Sequence, residues 1–67
     1  VTYEYYSVSV TDKLNGKTQV CTLRADCWQS AVLSHPWLGA EFENLVDEAD
    51  LEQRAAFFQY EITVNEL

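Results

Sequence analysis

Apolar and polar residues alternate from Tyr6 to Thr11 and again from Cys21 to Ala25, the period-two signature of half-buried strands. Asn15-Gly16 lies between these runs. It predicts a two-residue type I′ hairpin turn, which needs positive φ at both central positions. That turn pairs Val10 with Cys21, Val8 with Leu23 and Tyr6 with Ala25 on one face. Thr11 with Val20, Ser9 with Thr22 and Ser7 with Arg24 then share the other, mostly polar, face. The period next becomes helical, with Trp28, Ala31, Val32 and His35 at i, i+3, i+4 and i+7. Asp26 and Gln29 have capping-box spacing ahead of them, and Pro36 ends the run. A second amphipathic helix is expected over about 40–49, with Phe42, Leu45, Val46 and Ala49 on its apolar stripe. Asp50 and Gln53 repeat the capping-box spacing, so a short third helical turn is expected before a last strand. In that strand, running over 57–64, Phe58, Tyr60, Ile62 and Val64 face one way and Phe57, Gln59, Glu61 and Thr63 the other.

These elements make an α+β fold of two layers, ββααβ, with a three-stranded, mainly antiparallel sheet packing one face on its helices. The opposite sheet face carries Tyr3, Tyr5, Ser7, Ser9, Thr22, Gln59, Glu61 and Thr63. It reads first as a solvated surface. No repeat, low-complexity tract or linker divides the 67 residues, so 1–67 is read as a single small domain. A hydrophobic share of 48% argues against disorder, and the short apolar runs against a membrane span. The chain therefore reads as soluble. No signal-peptide pattern opens it, while the lack of any Met leaves a removed leader segment open. Cys21 and Cys27 form no C-x-x-C pair and are too few for a disulfide framework, which favours reduced thiols in a cytosol.

Charge is the most lopsided property of the chain, whose formal net value is −7. Between Ala25 and Gln53 stand Asp26, Glu41, Glu43, Asp47, Glu48, Asp50 and Glu52 without one Lys or Arg. Elsewhere Glu4, Asp12, Glu61 and Glu66 balance Lys13, Lys17, Arg24 and Arg54. Such a one-sided field repels nucleic acid and anionic membranes and favours a basic partner or a cation. Ordinary solubilising surfaces intersperse both signs, and this segment does not.

Catalytic motifs fail their context tests. Asp47-Glu48-Ala49-Asp50 spells a helicase signature, yet the phosphate-cradling glycine loop that would accompany it is missing. Asp47, Glu48, Asp50 and Glu52 lack the spacing and central Gly of a calcium-binding EF-hand loop. His35, the only histidine, reads as closing the first helix, and Cys21 as core. At a helix start the thiolate of Cys27 would gain from the dipole, but adjacent Asp26 opposes it. No enzymatic activity, cofactor or metal is therefore expected.

Two features are candidate partner sites. One is the acidic face formed by Glu41, Glu43, Asp47, Glu48, Asp50 and Glu52. The other is the loop His35–Gly39, whose Trp37 and Leu38 are either tucked under the sheet or left for a partner. Small size, acidity and absent catalytic motifs make the chain similar, in size and composition only, to the inhibitors that phages and mobile elements use against restriction, CRISPR or transcription machinery. That resemblance implies a non-enzymatic protein in the cytoplasm of a bacterial host. Its carboxylates would imitate nucleic-acid phosphates and occupy the basic surface of a nucleic-acid-processing complex. The alternative is an adaptor or assembly subunit, a homodimer among the options, joined through a sheet edge or the Trp37 loop.

Overall fold

The computed structural model describes residues 2–67. Strands β1 (Glu4–Asp12) and β2 (Thr18–Ala25) form the hairpin, followed by helix α1 (Trp28–Leu33), a 3-10 turn at Ala40–Phe42, helix α2 (Glu48–Phe57) and strand β3 (Tyr60–Glu66). The sheet is antiparallel with order β2-β1-β3, so the first strand is central and both partners are edges. This is the expected α+β architecture of a three-stranded sheet with two helices. Tyr6, Val8 and Val10 of the central strand are buried against Ala31, Val32, Leu38, Phe42, Leu45 and Leu51. Leu23, Tyr60, Ile62 and Val64 pack around that core on the same sheet face.

The hairpin register differs from the expected one by two residues. Val10 lies opposite Gln19, Val8 opposite Cys21 and Tyr6 opposite Leu23. The reason is the loop, which has four residues (13–16) rather than two. Gly16 alone is left-handed, at φ 73°, whereas a type I′ turn would need Asn15 there as well. Asn15 instead uses its side-chain oxygen to accept the Lys17 N–H at 2.9 Å. Asp12 holds the other side of the loop, its carboxylate accepting the Leu14 N–H at 2.9 Å and its carbonyl the Gly16 N–H at 2.8 Å. A shift of two preserves side-chain parity, so every face assignment in the hairpin survives the change of partners.

Helix α1 ends before Pro36 as expected, but its N-cap is Cys27 rather than Asp26. No side chain caps its backbone, and the Cys27 thiol lies 3.4 Å from the Ser30 hydroxyl instead. Asp26 still belongs to this corner. The Ser30 hydroxyl, and secondly the Cys27 thiol, hold its carboxyl below the usual aspartate value.

The helix expected over 40–49 does not form. Phe42 and Leu45 are buried as their spacing suggested, yet Val46 is 77% exposed and Asn44 takes a left-handed φ of 58°. A helix through this segment would need the Glu41 and Glu43 carbonyls to accept from residues four further on. In place of that ladder, both accept from the guanidinium of Arg54, and the left-handed Asn44 breaks the helical path between them and α2. Helix α2 begins later, where Asp47 accepts the Asp50 N–H at 2.9 Å and Asp50 returns a carboxylate to the Val46 N–H at 3.1 Å. The capping pair is thus Asp47 with Asp50, not Asp50 with Gln53. Phe57 closes α2 and is 81% exposed, and Gln59 turns the chain at φ 58°, so β3 starts at Tyr60 rather than at 57.

Candidate functional site

The acidic residues do not share one helix face. Glu41 lies in the 3-10 turn, Glu43 follows it, Asp47 caps α2, and Glu48, Asp50 and Glu52 belong to α2 itself. At 100° per residue, Glu48 and Glu52 fall on one side of α2 while Asp50 and Arg54 fall on the opposite side. The helix therefore divides the patch.

On the Arg54 side the charge is spent internally. Its Nη2 stands 3.1 Å from Asp50, its Nε donates to the same carboxylate at 3.2 Å, and Nη1 donates to the carbonyls of Glu41 and Glu43. One planar, multiply donating cation ties the 41–43 segment to α2, a task a lysine could not perform with the same geometry. Asp47 and Asp50 are thereby structural acids. Among the described residues, the side chains of Glu41, Glu43, Glu48 and Glu52 make no hydrogen bond or ion pair and are exposed.

On the other side, Glu48 and Glu52 form one wall of a groove of about 340 Å³ between α2 and β3. Its floor is Leu51, Ile62 and Val64, and Tyr6, Trp28 and Glu66 close one end. Burial pushes the Tyr6 phenol above its ordinary pKa, and the Glu66 carboxylate, its cross-strand neighbour, adds to the shift. A second hollow of about 410 Å³ continues the groove towards Lys13 and Tyr60, sharing Leu51, Glu52, Ile62 and Thr63 with the first. A channel thus follows β3, with Leu51 and Ile62 common to both hollows, the carboxylates of Glu48, Glu52 and Glu66 around the first, and Lys13 at the far end of the second.

The Trp37 loop offers less surface than the acids do. Leu38 is only 5% exposed and belongs to the core, so it presents nothing to a partner, and Trp37 packs half-buried beside it. His35 anchors both. Nearly sealed from solvent, its Nδ1 accepts the Trp37 N–H at 3.1 Å, which leaves Nε2 to donate to the Gln19 carbonyl at 3.2 Å. It is therefore a bolt between the loop and β2 rather than a helix-end charge.

Tyr6, Trp28 and Glu66 line this groove although the sequence reading does not single them out as candidates. For Glu66 the signal is in the sequence, because alternation along Tyr60, Ile62, Val64 and Glu66 places a carboxylate at the end of an otherwise apolar stripe. Among the described residues no three His, Cys, Asp or Glu side chains converge as metal ligands, and no helix is long and apolar enough to cross a membrane. Compared with known proteins, the chain has no significant match to any protein-family model, curated protein or solved structure.

Proposed function

We propose that this chain is a small acidic, non-enzymatic binding protein for a basic partner, an inhibitor of the kind that covers the nucleic-acid-binding surface of a bacterial defence or transcription protein. The supporting observation is the disposition of Arg54. Arg54, which follows the acidic segment, is turned inward onto Asp50 and two carbonyls, and among the described residues Glu41, Glu43, Glu48 and Glu52 form no ion pair, Lys13 lining the far hollow beside Glu52 without bonding to it. The remaining bases, Lys13, Lys17 and Arg24, lie on the hairpin, and Arg24 rests 5.4 Å from the Tyr3 ring centre on the open sheet face. Such a charge separation orients the molecule in the field of a basic surface and speeds encounter at low salt.

Capture from bacterial lysate tests this reading, with the wild type compared with a variant carrying Lys at 41, 43, 48 and 52. Asp47 is left intact because it caps α2. The expected result is a nucleic-acid-binding protein retained by wild type alone and released by high salt or competing DNA. Equal retention by the charge-reversed variant would remove the acidic surface from the function.

A further inference from the structure

Among the described residues the outer edge of β3 has no strand partner, and its polar backbone groups can be assigned. Gln59 accepts the Lys13 N–H at 2.9 Å and Leu67 donates to the Tyr5 carbonyl at 2.8 Å. Antiparallel ladders alternate hydrogen-bonded with non-bonded pairs, so residues 61, 63 and 65 bond inward to β1 as 59 and 67 do. The N–H and C=O groups of Tyr60, Ile62, Val64 and Glu66 therefore point outward, unpaired, above the groove lined by Ile62, Val64, Leu51, Glu48 and Glu52. Open edge and groove run side by side along the same strand.

We infer that β3 is a docking edge for an extended segment of the basic partner, which adds as a fourth strand and lays every second side chain into the carboxylate-rimmed groove. This rests on the reading of the protein as a binder of basic partners and specifies how it binds. Period two is required, because alternate side chains of an added strand fall on the groove side. The groove asks for Lys or Arg at those positions, since an aliphatic stem would cover Leu51, Ile62 and Val64 while its cationic head reaches Glu48, Glu52 or Glu66. A second copy of the chain fits poorly. Pairing β3 with β3 would bring two sets of Glu48, Glu52 and Glu66 together, and like charges across an interface oppose association.

The test uses three fluorescent peptides of equal length and charge, titrated into the intact protein and followed by anisotropy. One alternates Lys with Thr, one carries the same residues with all Lys in a block, and one is the alternating peptide N-methylated at every second residue. The alternating peptide should bind best, the block and N-methylated peptides at least about tenfold more weakly, because each lacks either the spacing or the backbone donors. The double variant E48Q/E52Q, changed only at exposed positions, should lower the affinity of the alternating peptide about tenfold as well. Equal affinity for all three peptides would overturn edge docking while leaving a charge-driven binder standing. Binding of none would overturn both. A dimer in sedimentation that the alternating peptide dissociates would assign the edge to a second copy and likewise overturn the inference.

Discussion

The shorter helix is the better buried. Within the six residues of α1, Ala31 and Val32 have no exposure at all, and His35 just beyond it has 1%. The ten residues of α2 bury only Leu51 and Ala55, at 6% and 4%. One end of the sheet is therefore closed by apolar insertion and a buried hydrogen-bonded ring. The other is closed by a helix held at its N-terminus by Asp47 and on its flank by Arg54, with a groove left between it and β3. Helix length does not predict anchoring, because packing of an apolar face rather than propensity supplies most helical stability in proteins. The contrast assigns stability to the α1 end and leaves the α2–β3 end free to carry exposed charge.

Removing the His35 ring should break this contrast most severely. His35→Ala opens a void in the sealed end and orphans the Trp37 N–H and a lone pair of the Gln19 carbonyl. The cost should be about 3 kcal/mol. Small domains have a margin of about 5 kcal/mol, so the variant should show a much lower urea midpoint. A midpoint within experimental error of wild type would mean that the α1 end is not the anchor.

Arg54→Met probes the opposite end and should cost less, about 1–2 kcal/mol, because its partners are part-exposed and water replaces some of the lost bonds. Hydrogen exchange should rise in the 41–46 segment and the first turn of α2 while α1 stays protected. A uniform rise across both helices would show that the two ends unfold as one unit.

The smallest effect concerns Asp26, at the entrance to α1. Its carboxyl lies below the ordinary value in the folded protein, so its contribution is present above the unfolded value, about pH 4, and is lost as pH falls through the lower folded value. Asp26→Asn should flatten the acid limb of a stability-against-pH curve in that window, slightly lowering stability at neutral pH and leaving it nearly unchanged below the window. The same acid slope in both proteins would deny Asp26 any part in it.

Local regularities were legible wherever one physical signal dominated. Alternation in β1, β2 and β3 assigned the inward faces correctly, because a period of two leaves only two choices and one of them buries Val8 and Val10. Pro36 ended α1 for a reason intrinsic to its ring. Two signals were ambiguous. Asn15-Gly16 fits both a two-residue turn and the end of a four-residue loop, and only the side-chain bonds of Asp12 and Asn15 choose between them. The 40–49 segment has helical spacing, but the carbonyls of Glu41 and Glu43 accept instead from Arg54, 13 and 11 residues further along the chain.

The class of fold, the residues that face the core and the one-sided charge follow from the order of residues along the chain, since periodicity and composition are properties of neighbours in sequence. Where that charge goes depends on packing between distant segments. That packing turned Arg54 inward, committed Asp47 and Asp50 to capping and pairing, and set Glu48, Glu52 and Glu66 around a groove at an unpaired strand edge. Those three carboxylates come from α2 and the far end of β3, and only packing of the helix beside that strand brings them together.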